Sequence, residues 1–358
     1  MRKFLIINPF GIGDVLFATP LIRAIKTQIK DSFIGFLCNE RVRPILERNP
    51  YIDKIFSFSR GDLKKIFKRS KLEGICKFFS LLKELKNCKF SLAFDLSLDH
   101  RYSLILKFLG VKERIGYNFK NRGRFLTKKI DIKGYEDKHV TEYYLELLKF
   151  LGIKPKDKHL ELNLEEKDKI WAEDFLRSFG VIRDDLLVGI IPGGGGSWGK
   201  DAVLKHWSKE KFAKLADTLI EKFKAKVLIL GDISEKEICQ AVSDSIHYKP
   251  INAFDKPTSL NEFVALIDRC NIIITNDGGP IHISVARRIK TISIFGPVDE
   301  NVYGPYLSSS NHIVIKKDLS CRPCYRGFRM PPCPYNRECL NSISVEEVFA
   351  ATENLLKK

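Results

Sequence analysis

The chain has 358 residues, of which 44% are hydrophobic and 29% charged, and Lys and Arg outnumber Asp and Glu by 17. This length predicts two domains rather than one core, and the composition excludes disordered and collagen-like chains. The apolar runs are too short for a membrane-spanning helix, and the interrupted N-terminal run argues against a signal peptide. We therefore expect a cytoplasmic protein with reduced cysteines and a basic surface suited to polyanions.

Short apolar runs alternate with helical stretches along the first half, a pattern typical of parallel sheets flanked by helices. The predicted strands are residues 3–8, 33–37, 54–58 and 92–96, and the clearest helix is residues 63–85. Together they predict an N-terminal Rossmann-like domain at residues 1–160.

The second half repeats this pattern after a charged, turn-rich linker at residues 153–166. Its predicted strands are residues 186–191, 226–230, 271–275 and 291–295, and its first clear helix is residues 208–223. We expect a second Rossmann-like domain at residues 161–343. A terminal helix at residues 344–358 is expected to pack back on the first domain.

Ligands of open α/β sheets bind beyond the carboxyl ends of the strands, so the loops at these ends are the candidate sites. The first loop, residues 8–14, contains Gly11 and Gly13, which allow the backbone to approach a ligand closely. Asp14 then stands at the start of the next helix. It is either a general base aimed into a cleft or an N-cap, a role that Asp fills well.

A run of glycines follows the first strand of the second domain. Its amides can wrap a diphosphate, and the candidate phosphate-binding residues are Gly193, Gly194, Gly195, Gly196 and Ser197. Lys205 can add an ammonium beside the phosphates, or it is one more surface lysine. A P-loop is disfavoured because Asp201 replaces the magnesium-binding Ser or Thr. The alternative for the whole loop is a flexible lid.

Two further loops follow buried strands. Glu235 is placed to accept hydrogen bonds from ribose hydroxyls, or to stabilise a helix start. Residues 276–282 (NDGGPIH) predict a nest of free amides at a helix N-terminus, suited to an anion. The candidate donor-binding residues in this loop are Asn276, Asp277, Gly278, Gly279 and His282, of which the histidine is equally typical of a packed core residue.

These loops together resemble glycosyltransferase family 9, the ADP-heptose:lipopolysaccharide heptosyltransferases. The matching pieces occur in family order: GDVL at residues 13–16, TPL at 19–21, NPYID at 49–53, the glycine loop with KHW at 205–207, NDGGPIH at 276–282 and FGP at 295–297. The resemblance therefore covers nearly the whole chain.

The resemblance implies a glycosyltransferase-B fold, in which two Rossmann-like domains face each other across a cleft, with the acceptor domain first. It implies inverting transfer without a metal ion, of heptose from ADP-heptose to a lipid-linked lipopolysaccharide-core acceptor. Asp14 then resembles the base, Lys205 the phosphate contact and Glu235 the ribose-binding acid. The basic surface suggests peripheral contact with the anionic cytoplasmic face of the inner membrane, and no nucleic-acid partner is expected.

Four cysteines lie within 19 residues near the C-terminus: Cys321, Cys324, Cys333 and Cys339. Four thiolates at such spacing can bind a structural zinc ion, although the intervals are not those of a standard zinc finger. The alternative is a set of reduced thiols in a Pro-rich loop.

Two other function classes remain open at this point. A basic, zinc-containing nucleic-acid-binding protein would explain the charge and the cysteines, but it leaves the glycine loops unused and lacks a basic recognition helix. A serine hydrolase would use Ser197 with Asp277 and His282, but its nucleophile needs a sharp strand-to-helix turn, and here more glycines and a further loop intervene.

Overall fold

The computed structural model describes residues 1–58, 70–255, 258–307 and 310–357. The chain forms two compact units, residues 1–158 and residues 159–358, and the division falls within the predicted linker. Each unit contains a six-stranded parallel sheet with helices between the strands. The prediction of two Rossmann-like α/β domains is therefore confirmed.

The sheet of the first unit has the strand order β3-β2-β1-β4-β5-β6. Its strands are β1 (Arg2–Asn8), β2 (Ser32–Cys38), β3 (Lys54–Ser57), β4 (Leu92–Asp95), β5 (Glu113–Phe119) and β6 (Lys128–Ile132). Its helices are α1 (Ile12–Phe17), α2 (Thr19–Gln28), α3 (Arg43–Leu46), α4 (Lys71–Cys88), α5 (His100–Phe108) and α6 (Val140–Glu146). The predicted helix at residues 63–85 is observed from Lys71 onward, and its first residues lie outside the described part of the chain.

The sheet of the second unit has the strand order β12-β11-β10-β7-β8-β9. Its strands are β7 (Leu187–Ile191), β8 (Lys226–Ile229), β9 (Ile251–Asn252), β10 (Ile272–Asn276), β11 (Lys290–Ile294) and β12 (His312–Ile315). Its helices are α7 (Glu166–Ser178), α8 (Lys209–Phe223), α9 (Lys236–Ser245), α10 (Leu260–Arg269), α11 (Gly279–Arg287), α12 (Glu300–Tyr303), α13 (Glu338–Asn341) and α14 (Val345–Lys357).

The terminal helix α14 is part of the second unit. Its buried residues Val345, Val348 and Leu355 belong to the same core as Phe212 of α8. The sequence-based expectation placed this helix on the first domain, whereas its apolar face contributes to the core beneath β11 and β12. An amphipathic terminal helix can cover any apolar face within reach, and the chain order alone does not specify which one.

In each sheet the first strand along the chain lies at the centre, and later strands pair on both sides of it. In the first unit the chain runs outward from β1 to β2 and β3, then returns to add β4 on the other side of β1. In the second unit β7 has the same position, with β8 on one side and β10 on the other. The two switch points, between β1 and β4 and between β7 and β10, are where ligands bind in such sheets.

No helix within the described residues combines the length and the apolar character needed to cross a membrane.

Candidate functional site

Asp14 of the first unit lies at the switch point, in the first turn of α1. Its Oδ2 accepts a hydrogen bond of 3.2 Å from the Gly11 amide, and the side-chain amide of Asn8 donates to the Asp14 carbonyl oxygen at 2.9 Å. The carboxylate therefore bonds the helix start from the third helical position, whereas the capping interpretation placed Asp14 at the N-cap, which is Gly11. Gly11 and Gly13 are half-buried in the same turn, next to the carboxylate.

Two buried tyrosines lie near the Asp14 carboxylate. Burial raises the pKa of Tyr135, and the charge of Asp14 adds to this shift. Burial likewise raises the pKa of Tyr144 well above its usual value, with further contributions from Tyr135 and Asp14. Both phenols are therefore protonated at neutral pH, and both lie within the electrostatic influence of the Asp14 carboxylate.

Asp95 ends strand β4, directly across the switch point from β1, where it pairs in register with Ile7. Its Oδ1 accepts hydrogen bonds from the Ser97 hydroxyl at 2.5 Å and the Ser97 amide at 3.1 Å. Burial raises the pKa of Asp95 to about 6, although the Ser97 bonds oppose this shift. The first unit therefore has a second carboxyl group close to Tyr135.

In the second unit the two predicted glycine loops lie against each other. Gly194 and Gly195 have φ values of +107° and +75°, which L side chains rarely adopt. A Cβ at Gly278 would lie 3.2 Å from the Gly195 amide nitrogen. The loop after β7 and the loop after β10 thus approach so closely that a Cβ at Gly278 would crowd the facing backbone, as expected for a ligand site built from backbone amides.

Lys205 is buried and pairs with Asp277. Its Nζ lies 2.7 Å from the Asp277 Oδ2 and 4.0 Å from the ring centroid of Trp198. The side chains of Lys205 and Asp277 are only 8% and 5% exposed. The surface-lysine alternative is therefore wrong, because a solvated lysine would not be held between a carboxylate and an aromatic face.

Asn276 connects the loops from beneath. Its side-chain amide donates to the carbonyl oxygens of Pro192 at 2.7 Å and Gly193 at 3.2 Å, and its Oδ1 accepts from the Trp207 amide at 2.9 Å. Asn276 is fully buried. Its observed contacts hold the glycine loop and the segment after Lys205 in place.

Glu235 lies against the glycine loop. Its Oε1 accepts a 2.6 Å hydrogen bond from the Gly194 amide, and a Cβ at Gly193 would lie 2.5 Å from its Cδ. Burial raises the pKa of Glu235, while the Gly194 bond opposes the shift. His206 holds the same loop from its other side, because its Nε2 lies 2.8 Å from the Gly194 carbonyl oxygen.

The remaining predicted residues of this unit surround the same loops. Gly279 begins helix α11, and His282 is buried in that helix. Gly196 is exposed and begins the 3₁₀ helix that leads to Lys205, whereas the side chain of Ser197 lies outside the described part of the chain. The structure therefore brings the loops after β7, β8 and β10 together in one place.

The four predicted zinc ligands also come together, since all four cysteines line one small cavity. Within the described residues, however, no group of three or more Cys, His, Asp and Glu side chains is placed so that it could hold a metal ion.

Several side chains at these sites were not predicted. His206 is the middle residue of the KHW motif, so its position beside Lys205 was an available signal. Asp95 ends an apolar strand, and a carboxylate at that point is itself a signal for a switch-point residue. No sequence signal indicated Tyr135 and Tyr144, because only tertiary packing brings them to Asp14.

The sequence pattern of glycosyltransferase family 9 (heptosyltransferase) matches residues 78–330. This match covers more than two thirds of the chain. The chain belongs to glycosyltransferase family 9. It is therefore a glycosyltransferase, and the recognition from the sequence motifs is confirmed.

Relatives of family 9 extend along the whole length. Lipooligosaccharide heptosyltransferase 2 of Campylobacter jejuni is 27% identical over 361 residues, covering 99% of this chain and 98% of that protein. Lipopolysaccharide heptosyltransferase 3 of Escherichia coli is 26% identical, with coverage of 96% and 95%. Both matches extend through the glycine loops described above.

Solved structures of family 9 enzymes share the fold. A family 9 glycosyltransferase from Veillonella parvula superposes with a TM-score of 0.82 at 24% identity, covering 100% of this chain and 98% of that one. The ADP-heptose lipopolysaccharide heptosyltransferase II of Escherichia coli superposes with a TM-score of 0.76 at 20% identity, covering 99% of each chain. The glycosyltransferase-B fold class is thereby confirmed.

Family 9 membership decides between the function classes left open by the sequence. Glycosyl transfer accounts for the glycine loops, which the nucleic-acid-binding alternative left unused. The serine hydrolase alternative is also disfavoured by the contacts, because its triad requires the Asp277 carboxylate to orient an imidazole, and this carboxylate is paired with Lys205.

The raised pKa of Asp95 makes stability depend on pH. The native state binds this proton more tightly than the unfolded chain, so ionising Asp95 costs stability as pH rises from about 4 to about 6. Across this window, we expect the free energy of unfolding of Asp95→Asn to rise by up to about 3 kcal/mol relative to that of the wild type. Urea unfolding at each pH measures this difference. The exposed Asp31→Asn is the matched control. A difference between Asp95→Asn and the wild type that stays constant with pH would contradict the burial of an ionisable carboxyl group there.

Proposed function

We propose that this protein transfers heptose from ADP-heptose to a lipopolysaccharide-core or related cell-surface glycan acceptor, with inversion and without a catalytic metal ion. Its relatives named above are heptosyltransferases of lipopolysaccharide or lipooligosaccharide, and this chain covers nearly their full length. The observation that carries the proposal is the buried Lys205 beside two glycine loops at the switch point of the second sheet.

The second unit binds the donor diphosphate in this proposal. The amides of residues 193–196 and 278–279 supply donors, and the Lys205 ammonium supplies a positive charge. In the structure this ammonium faces the Asp277 carboxylate at 2.7 Å. The donor phosphates share it with Asp277, and the ammonium then stabilises the charge that accumulates on the leaving diphosphate.

The same arrangement is the reason for proposing metal-independent transfer. Many transferases need a divalent cation to neutralise the leaving diphosphate. Here a buried lysine and the N-terminus of α11 fill that role with protein groups. The Asp277 carboxylate stays paired with Lys205, so it is not available as a ligand for a metal ion.

Glu235 and His282 are the proposed contacts to the nucleoside and sugar. The Glu235 carboxylate is held at the glycine loop by the Gly194 amide, and it retains lone pairs for ribose hydroxyls. Asn276 is the last of these donor-site residues, and it fixes the glycine loop after β7.

Asp14 of the first unit is the proposed base. Inverting transfer proceeds in one displacement, so it needs one group that removes the proton from the acceptor hydroxyl as the oxygen attacks the anomeric carbon. Asp14 is half-buried at its switch point, with the phenols of Tyr135 and Tyr144 nearby.

A donor screen tests the proposed substrate. ADP-heptose, UDP-sugars and GDP-sugars are compared for thermal stabilisation and for transfer, with and without EDTA. We expect ADP-heptose to bind and react in the presence of EDTA, and Lys205→Met to lose donor binding because the diphosphate loses its charged partner. The exposed Lys209→Met is the matched control. Preference for a UDP- or GDP-sugar would contradict the heptose assignment, and loss of activity with EDTA would contradict metal independence.

Asp14→Asn tests the base. We expect kcat to fall by a factor of about 10² to 10⁴, because the amide cannot accept the proton, while thermal stabilisation by the donor remains close to that of the wild type. The exposed Asp31→Asn should leave both readouts unchanged. Transfer by Asp14→Asn at the wild-type rate would rule out the assignment.

We also propose that the first unit contacts the anionic cytoplasmic face of the inner membrane through helix α4. Leu72, Ile75 and Phe79 are 76%, 43% and 62% exposed and lie along one stripe of the helix, while Leu85 faces the core. The exposed Lys83 and Lys86 continue this stripe toward the C-terminal end of the helix. An apolar stripe with flanking lysines fits an anionic bilayer surface.

Liposome flotation tests this contact. We expect Leu72→Ser/Phe79→Ser to bind vesicles of phosphatidylglycerol and phosphatidylethanolamine at least about tenfold more weakly, because two apolar side chains no longer enter the bilayer surface, and wild-type binding to fall at high salt. The matched control is Phe108→Ser, which removes a side chain that is 79% exposed on α5. An equal loss in the control, or binding that does not depend on salt, would contradict the proposal.

A further inference from the structure

His206 contacts the glycine loop through its imidazole ring. Its Nε2 lies 2.8 Å from the Gly194 carbonyl oxygen. A carbonyl oxygen can only accept a hydrogen bond, so Nε2 carries the proton in this contact. Burial lowers the pKa of His206, although the Gly194 bond opposes this shift, and the charges of Arg337 and Lys205 lower it further. The ring is therefore neutral at pH 7, and its single N–H is directed at the glycine loop.

The His206 bond determines the direction of the next amide along the chain. The Gly194 carbonyl and the Gly195 N–H belong to one peptide group, and this group is trans. In a planar trans peptide the C=O and N–H bonds point in opposite directions. Because His206 holds the carbonyl oxygen, the Gly195 N–H points away from the imidazole ring.

The preceding peptide group has the same arrangement, and both of its ends are paired. Its carbonyl oxygen, from Gly193, accepts from the Asn276 side-chain amide at 3.2 Å. Its N–H, from Gly194, donates to the Glu235 Oε1 at 2.6 Å. Side-chain donors thus hold the carbonyl oxygens of two successive peptide groups, and the N–H of each is directed to the opposite side.

The Gly195 nitrogen lies beside the start of helix α11. A Cβ built on Gly278 would come within 3.2 Å of this nitrogen, and Gly278 is the N-cap of α11. Among the described residues, no acceptor is paired with the Gly195 N–H. Backbone amides in a concave turn next to a helix N-terminus bind anionic groups. The Gly195 N–H is therefore a donor available to a diphosphate beside α11.

The position of His206 is itself fixed through its backbone. The Arg337 Nη1 donates to the His206 carbonyl oxygen at 3.4 Å, and the Trp207 amide of the same peptide group donates to the Asn276 Oδ1 at 2.9 Å. The His206 amide donates to the Val203 carbonyl oxygen at 3.2 Å. A side chain that is already held in place costs less conformational entropy when a ligand binds.

We propose that His206 is a positioning residue, whose Nε2–H fixes the peptide group of Gly194 and Gly195 so that the Gly195 amide donates to the donor diphosphate. The imidazole transfers no proton in this role and acts through the glycine loop alone. The role rests on the donor site proposed above for the second unit.

Two variants of similar length separate this role from simple packing. His206→Gln keeps an N–H donor for the Gly194 carbonyl oxygen, whereas His206→Met fills a similar space without one. We expect the Kd for ADP, measured by isothermal titration calorimetry on the full-length protein, to rise about tenfold in His206→Met. In His206→Gln it should stay within about threefold of the wild-type value. The Kd for adenosine, which lacks the diphosphate, should be unchanged in both variants.

The matched control is His247→Met, which removes an exposed histidine that pairs with Asp217 in the same unit. It should leave both dissociation constants unchanged. Wild-type ADP affinity in His206→Met would overturn the positioning role. An equal loss in His206→Met and His206→Gln would do so too, as would a parallel loss of adenosine binding, because each of these results indicates a packing defect.

Amide hydrogen exchange in the wild type tests the same role without a substitution, and it applies even where His206→Met does not fold. We expect ADP to slow exchange of the Gly195 amide at least about tenfold, because a hydrogen-bonded amide is protected, and adenosine to leave it unchanged. Exchange of this amide that ADP does not affect would overturn the role.

Failure of the donor assignment differs from failure of the positioning role. A wild-type protein that binds no ADP would contradict the proposed donor and, with it, the role of His206. Wild-type binding of ADP that survives unchanged in His206→Met would overturn the role of His206 alone.

Discussion

The ion pair between Lys205 and Asp277 constrains the loops around it. Burying one charge costs several kcal/mol unless a partner and further hydrogen bonds compensate, and removing one partner of such a pair costs about 3–5 kcal/mol. Both side chains are almost fully buried, so each requires the other in the absence of a ligand. The loops must then approach closely, which accounts for glycine at 194, 195 and 278, where a Cβ would strain the backbone or crowd the facing loop.

In each of the two sheets, a buried asparagine at the end of a strand holds a loop at the switch point. Asn8 ends β1 and Asn276 ends β10, each next to a switch point and each fully buried. Asn8 donates to the carbonyl oxygen of Asp14, and Asn276 donates to the glycine loop while accepting from Trp207. A buried amide can satisfy donors and acceptors of two loops at once, so an asparagine at a strand end fixes a loop without adding charge.

The central strands were predictable because they are buried on both faces and read as apolar runs, as in β1, β7 and β10. Strands β6 and β12 lie at sheet edges with mostly half-exposed side chains, so their sequences KKIDI and HIVI gave no equally clear signal. The loops that bind the donor were predictable from their glycines and strand-end positions. The partner of Lys205 was not, because nothing in the chain order indicates that residue 277 meets residue 205 rather than residue 282.

The structural contacts of the proposed site carboxylates are compatible with their chemical roles. A carboxylate has about four lone-pair positions. Asp14 accepts from the Gly11 amide, and Glu235 accepts from the amides of Gly194 and Asp232. Those bonds orient each group, and the two bonds of Glu235 use different oxygens and leave it lone pairs for a substrate hydroxyl. The capping role and the base role of Asp14 are therefore compatible. The hydrogen bond from the Gly11 amide at the helix start also holds the carboxylate at the carboxyl end of the sheet.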